Sequence, residues 1–276
     1  MNKTVMLLPV YNAEKFLREC LDGVVNQTCP DFRMIVCNDG SKDGGLDILR
    51  EYAAKDHRIT VLNNPGNLGI VATRNRLLKA IPEDAEFVAW IDADDVCLPD
   101  RLERQTAFLA AHPEIGGVGS SLEIIDETSR TTGFRRYPCD PAKIRKILPR
   151  TNVLAQPAMM LRSRIIRETG AYSESCPVCQ DYEYWLRALE HGDFANLPDP
   201  VIRYRISRNQ VKQSKLKQSL LITLKIQRDY YRRNRKPMPP AVMAKQLAGF
   251  LLCLLPARWI LKLFCVIAYR KPGAAK

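Results

Sequence analysis

Four short apolar runs in the first 92 residues, each followed by a longer amphipathic or turn-rich stretch, constrain this chain more than any other feature. The runs are Val5–Val10 ("VMLLPV"), Arg33–Asp39 ("RMIVCND"), Ile59–Asn64 ("ITVLNN") and Glu86–Asp92 ("EFVAWID"). Each has the length of a strand buried on both faces. Between them, Ala13–Asn26 sets Phe16, Leu17, Leu21, Val24 and Val25 on one stripe, the spacing of a helix laid on a core. Gly45–Asp56, entered through "DGSKDGG", and Asn67–Ile81, entered through Gly69, read as the next two helices. Strands alternating with helices predict an α/β layered sheet, mostly parallel. Such sheets bind ligands at the carboxyl ends of their strands.

The unusual polar residues fall at those ends. Tyr11 and Asn12 close the first strand, Asp39 the second, and Asp92 and Asp94 the fourth. The stretch "WIDADDVCLPD" (Trp90–Asp100) packs Asp92, Asp94, Asp95 and Asp100 directly behind the apolar run Phe87–Ile91. Neighbouring carboxylates raise the cost of ionising one another. A divalent ion removes that penalty, and Asp-x-Asp on a tight turn suits Mg2+ or Mn2+. Asp100 reads instead as the cap of a following helix.

Beyond residue 112 the pattern loosens. Ile115–Ile125 reads as one β-like run, Asp126–Pro138 as a turn and return strand, and Pro141–Leu148 as a short basic helix. Ala158–Gly170 reads as a strand and a helix stopped by Gly170, Asp181–Gly192 as a helix, and Val201–Ile206 as a late strand. Nine scattered Cys do not suggest a disulfide framework, and the N-terminus lacks the apolar segment of a signal peptide, so a reducing cytoplasm is expected. Cys176 and Cys179 form a C-x-x-C without the second pair that zinc would need, and are read as free thiols.

Five stretches, "PVYNAEKFL", "NDGSKDG", "NLGIVATRN", "DADD" and "QDYEYWLR", resemble in order and spacing the motif series of the family-2 inverting glycosyltransferases. The resemblance covers roughly residues 1–207. It implies a GT-A type, Rossmann-like fold with a donor-binding half (about 1–112) and an acceptor half (about 113–207). It implies a nucleotide-sugar donor, UDP-linked, in which Asp39 bonds the base, Tyr11 packs on it and Pro9 shapes its edge, beside Asn12. Gly69 would allow close backbone approach, Arg74 would meet the diphosphate, Asp92 would lie near the ribose, and Asp94 would ligate Mg2+ or Mn2+. Asp181 would be the catalytic base, with Glu183 as the weaker rival.

Taken alone, the same residues have plainer readings. "NDGS" is a turn, Gly69 a helix start, Arg74 a solvated or ion-paired residue and Asp181 an N-cap. The sequence also departs from the family pattern. Gln180 stands where Glu usually precedes the base. Ser207 stands where the closing Tyr-Arg-x-His region has His, leaving Arg205 or Lys212 to supply that charge. Trp185 and Arg187 read as core and scaffold.

Charge is divided along the chain. Residues 203–276 hold 18 Lys/Arg against one acid, Asp229, a balance of +17, whereas residues 1–202 hold 24 against 29, a balance of −5, which together give the net +12. Such asymmetry points to a polyanionic partner of the tail. Gln210–Arg233 reads as a basic helix, "KPMPP" as a break, and Ala241–Tyr269 as an apolar stretch interrupted by Pro256, Arg258 and Lys262, too broken to span a bilayer. Residues 208–276 are therefore expected to form a basic helical extension lying on an anionic membrane surface, the plainer alternative being a helix docked on the protein's own core. No base-reading motif accompanies the charge, so nucleic acid is not expected.

The functional expectation is transfer of a sugar from a nucleoside diphosphate to a hydroxyl of a glycan or lipid-linked saccharide, in surface polysaccharide or lipopolysaccharide assembly, peripheral on the cytoplasmic face of the plasma membrane. A sugar nucleotidyltransferase would want a Gly-rich, basic phosphate loop after the first strand, which "LLPVYNAEKF" lacks. A non-catalytic nucleotide-sugar binding module is disfavoured by the presence of both Asp94 and Asp181.

Overall fold

A computed structural model describes residues 3–206 and 213–254. The chain divides into two compact units, Met1–Ser207 and Arg208–Lys276.

The first unit opens with β1 (Thr4–Val10), α1 (Glu14–Val25), β2 (Arg33–Asn38), α2 (Gly45–Lys55), β3 (Ile59–Asn63), α3 (Ile70–Lys79) and β4 (Phe87–Trp90). All four strands pair in parallel, β1 lying between β2 and β4. Every residue of β1 and β4 is buried. Helices cover both faces of such strands, which is why their sequences run continuously apolar instead of alternating. Helix α1 buries Leu17, Cys20, Leu21 and Val24, the expected stripe shifted by one residue at its ends.

The chain continues with β5 (Val96–Cys97), α4 (Arg101–Ala111), β6 (Ile115–Ser120), β7 (Leu122–Ile125), β8 (Thr131–Arg135), α5 (Pro141–Ile147), β9 (Met160–Arg162), α6 (Ser163–Thr169), α7 (Gln180–Ala188), β10 (Asp193–Leu197) and β11 (Ile202–Arg205). The main sheet has the order β10-β6-β9-β4-β1-β2-β3, and β9 runs antiparallel to both of its neighbours. A second sheet has the order β5-β11-β7-β8.

The run Ile115–Ile125, expected to be continuous, is broken between the two sheets. Ser121 makes the transfer, its N–H bonded to the Leu197 carbonyl at 3.0 Å. The glycines of β6 permit the approach, since a β-carbon on Gly119 would lie 2.4 Å from Asn196 Oδ1. Strand β10 ("DFANL") carries no strand signature in sequence because of Asn196. That side chain is buried and donates to the carbonyls of Pro138 (2.9 Å) and Val153 (3.2 Å). Asp100 sits at the start of α4 as expected but makes no capping bond through its side chain. Its carboxylate lies 3.6 Å from Arg104 instead.

The second unit contains α8 (Gln213–Arg233) and α9 (Pro240–Leu254). Gln246 donates to the Leu224 carbonyl at 2.9 Å, and a β-carbon on Gly249 would lie 3.1 Å from Leu224 Cδ1, so the two helices pack closely. Among the described residues no helix is long and apolar enough to cross a membrane. The expected continuation of the apolar stretch to Tyr269 lies outside the described residues.

Candidate active site

The carboxyl ends of β1, β2 and β4 form one rim, and each loop there is braced by its neighbours. Pro9 lies in β1, whose pairing with β4 ends at Leu7, so its missing N–H interrupts no bond on that side. Tyr11 is exposed beyond it. Asn12 adopts a left-handed φ of 47°, its N–H donating to Ser41 Oγ (3.0 Å) and its Oδ1 accepting from the Lys42 N–H (2.9 Å). The first loop is thereby tied to the second.

Asp39 is buried and already engaged. Its Oδ1 accepts from Asn64 Nδ2 (2.7 Å) and the Leu68 N–H (2.9 Å), and its Oδ2 accepts from the Gly69 N–H (2.9 Å). The carboxylate therefore shapes the entry to α3 and keeps one Oδ2 lone pair for a further donor. Gly69 has φ 86°, and nothing lies within 4 Å of where its β-carbon would be. Its backbone conformation, not crowding, requires glycine.

The acidic turn after β4 distributes its charge among distinct partners. The Asp95 N–H bonds to the Asp92 carbonyl at 3.1 Å, closing the turn. Asp95 is fully buried, and burial, with Asp94 and Asp92 beside it, pushes its pKa well up. Its Oδ1 accepts from the Arg205 N–H at 2.8 Å, while Oδ2 has no partner. Arg205 is also fully buried. It donates to the Asp94 carbonyl (2.8 Å), the Asp126 carbonyl (2.9 Å) and Glu19 Oε2 (2.6 Å). Arg205 was a candidate to replace the missing His, but these bonds make it a strut under the acidic turn. Ser207 and Lys212 lie outside the described residues.

Asp92 pairs with Arg74, Oδ1 to Nη2 at 3.0 Å. Arg74 is buried between Trp90 and Tyr172, its guanidinium 5.7 and 5.8 Å from the two ring centres. Burial opposes its charge, but Asp92, Tyr172 and Asp181 more than offset this and raise its pKa. Of the two plainer readings of Arg74, the ion pair is present and solvation is not.

Beside this pair opens a pocket of about 380 Å³, lined by Arg74, Asp92, Asn152, Gln156, Asp181 and Tyr204 among others. Asp181 is the second residue of α7. The residue before the helix is Cys179, at φ 55°, so the N-cap reading of Asp181 is off by two positions. One carboxylate oxygen accepts from Asn152 Nδ2 at 3.1 Å. Asp181 is partly open to the pocket and enclosed elsewhere. That enclosure raises its pKa, against the lowering effects of Arg74 and of the Tyr182 N–H. Its rival Glu183 is held by Arg187 through two bonds (2.8 and 3.0 Å), and Trp185 is buried core. Asn152, Gln156 and Tyr172 carried no motif that singled them out, whereas Tyr204 opens the Tyr-Arg-x-Ser stretch of the closing region.

Among the described residues, no three His, Cys, Asp or Glu are grouped so as to hold a metal ion. Asp94 nevertheless fits a shared site. It is a half-buried hard oxygen donor on the turn, and Mg2+ is commonly held by one or two carboxylates with substrate phosphates and water completing the shell.

Residues 6–170 match the model of glycosyl transferase family 2. An uncharacterized glycosyltransferase of Methanocaldococcus jannaschii, MJ1057, is 30% identical over 220 residues, covering 78% of this chain and 75% of the relative. An uncharacterized glycosyltransferase of Haemophilus influenzae is 29% identical over 74% of this chain and 66% of its own length. The O-antigen biosynthesis glycosyltransferase WbnJ of Escherichia coli is 28% identical over 76% of this chain and 82% of the relative. Among solved structures, S. aureus TarS superposes with TM-score 0.63 at 20% identity, over 91% of this chain and 43% of its own. Its residues 1–349 have been solved with UDP-GlcNAc. The mannosyltransferase PcManGT of Pyrobaculum calidifontis, solved with GDP-Man and Mn2+, superposes with TM-score 0.60 at 16% identity, over 99% and 76%. These likenesses establish a GT-A type fold.

Proposed function

The chain belongs to glycosyltransferase family 2, and from that premise we propose that it inverts configuration while moving a sugar from a nucleoside diphosphate to a hydroxyl of a glycan. The observation that carries the reading is the shared pocket. Asp181 and the Arg74–Asp92 pair line one cavity at the carboxyl ends of the strands, next to the turn bearing Asp94. The UDP-GlcNAc complex of TarS and the GDP-Man, Mn2+ complex of PcManGT favour a nucleotide-sugar donor, with UDP as the expected base, and Mg2+ or Mn2+ as cofactor.

Arg74 and Asp92 orient the donor on one side of the pocket. Asp181 accepts the proton of the acceptor hydroxyl as that oxygen bonds the anomeric carbon. The carbon–oxygen bond to the diphosphate breaks, and its electron pair leaves with the nucleotide. Asp94 would hold a divalent ion, which when bound would offset the negative charge that departs with the nucleotide. The named role of WbnJ in O-antigen biosynthesis favours a lipid-linked saccharide acceptor in surface polysaccharide assembly. The basic second unit favours a peripheral position on the cytoplasmic face of the membrane.

The test is nucleotide release by the full chain over a panel of UDP-glucose, UDP-GlcNAc and GDP-mannose, with Mn2+ or with EDTA, for wild type and Asp94→Asn. One UDP-sugar should be consumed with Mn2+, and both EDTA and Asp94→Asn should abolish most of that release. Silence towards every donor overturns the reading, and release undiminished in EDTA removes the metal from it.

A further inference from the structure

The loop between α5 and β9 contributes Asn152, and everything around that residue fixes which way its amide points. Leu154 N–H donates to Asn152 Oδ1 at 3.1 Å. A backbone N–H can only donate, so that atom must be the oxygen and the nitrogen must face Asp181. A carboxylate can only accept, which agrees. The loop itself is pinned at both ends of this stretch. Tyr182, the residue after Asp181, donates its hydroxyl to the Leu148 carbonyl at 2.9 Å, and Asn196 holds the Val153 carbonyl at 3.2 Å.

We propose that Asn152 is the positioning residue of the base: its side-chain amide, set beside the backbone N–H groups at the start of α7, holds Oδ2 of Asp181 and turns Oδ1 towards the acceptor hydroxyl. The inference rests on Asp181 being the base, and it adds to that reading a residue that acts through Asp181 without touching the reacting atoms. Its chemistry is directional. An amide donor favours the ionised carboxylate, the form that can take a proton, and so works against the enclosure of the site. It also removes one of two equivalent oxygens from competition, so the remaining oxygen has one rotamer from which to act.

Other groups facing Asp181 are Arg74 of α3, which favours its charge, and Asp92 of the β4 turn, which opposes it. The phenols of Tyr137 and Tyr172 stand close enough to feel its charge, and Arg135, Tyr204 and the Cys179 thiol share the pocket wall. All of these remain when Asn152 alone is changed, so a difference between the two proteins reports Asn152.

The experiment is a carbon-13 NMR titration of the aspartate carboxyls in the full chain, with Asp181 assigned from its absence in Asp181→Asn. Replacing the donor in Asn152→Leu should raise the midpoint of Asp181 by about one pH unit, the worth of one charge-assisted hydrogen bond. Should that variant fail to fold, Asn152→Ala removes the donor without adding bulk or charge, and should raise the midpoint by a similar amount. An unmoved midpoint in the folded variant overturns the proposal. This readout needs no acceptor sugar, so it stands apart from the assigned reaction: wild-type transfer by Asp181→Asn would instead sink the base assignment itself.

Discussion

Arg74 of α3 and Asp92 of the β4 turn are joined at 3.0 Å although they lie 18 residues apart, and the arginine is stacked between Trp90 and Tyr172. The pair joins a helix entered through Gly69 to the acidic turn, so the two loops hold a common position. A planar guanidinium can stack and bond at once, whereas an ammonium cannot. Arg74→Lys should therefore cost about 1–2 kcal/mol of stability and weaken donor binding about tenfold. Thermal denaturation and donor titration check this, and a variant unchanged in both shows that the stack does nothing.

Asp95 lends itself to a test of pH dependence. Its folded pKa is raised by burial and by Asp94 and Asp92 from the ordinary 3.8. The folded state thus holds that proton more tightly than the unfolded chain. Below the ordinary value both states are protonated and no penalty exists. As pH climbs from there towards the raised folded value, wild type loses stability, and above it the loss is constant. Asp95→Asn keeps an oxygen for the Arg205 N–H but cannot ionise. It should be more stable than wild type by about 1 kcal/mol at pH 8, with the gain shrinking at pH 4.5. Urea denaturation in EDTA at the two pH values measures it. A variant less stable at both places the worth of Asp95 in its bonds, not its proton.

The second unit offers an apolar face on α9. Val242 and Gln246 are buried, while Met243, Leu247 and Phe250 are exposed at helical spacing. Together with the +17 charge of residues 203–276 this fits a helix lying on anionic lipid. Deleting residues 240–276 should release the protein from phosphatidylserine vesicles while leaving nucleotide release from the donor measurable. High salt should weaken binding by the full chain without abolishing it. If the shortened chain still sediments with vesicles, or the full chain never does, the surface reading falls.

The donor half of the fold was legible because its strands are buried on both faces. Continuous apolar runs such as "VMLLPV" leave little choice of structure, and the loops after them carry their own polar signals. The other half was less so. β6 and β7 form one apolar run divided between two sheets at Ser121, just past the point where Gly119 approaches Asn196, a division visible only in three dimensions. Arg205 looked available for a ligand because sequence shows its charge but not its four bonded partners. Asp181 stood out within "QDYEYWLR", yet Asn152, which touches it, comes from a loop 29 residues earlier with no spacing rule to link them. A pocket assembled from separate loops leaves its principal residues readable and its supporting ones hidden.

The last prediction concerns Asp181. A sugar hydroxyl is a weak nucleophile at neutral pH, so its proton must be leaving as the new bond forms, and a carboxylate suffices because transfer need only be advanced in the transition state. A helix N-terminus favours the ionised form of Asp181. The structure adds enclosure, which raises its pKa and so strengthens it as a base, while Arg74 and Asn152 preserve the charged form. Glu183 cannot easily substitute, since Arg187 occupies both of its oxygens. Asp181→Asn keeps the size and removes the basicity. Donor affinity should be near normal and turnover should fall about 100-fold or more. In wild type, turnover should fall as pH drops through the raised pKa of Asp181, because the protonated acid cannot accept a second proton, and Asp181→Asn should lose that acid limb. A variant with full transfer rates rules Asp181 out, and a product of retained anomeric configuration excludes the single displacement on which its role depends.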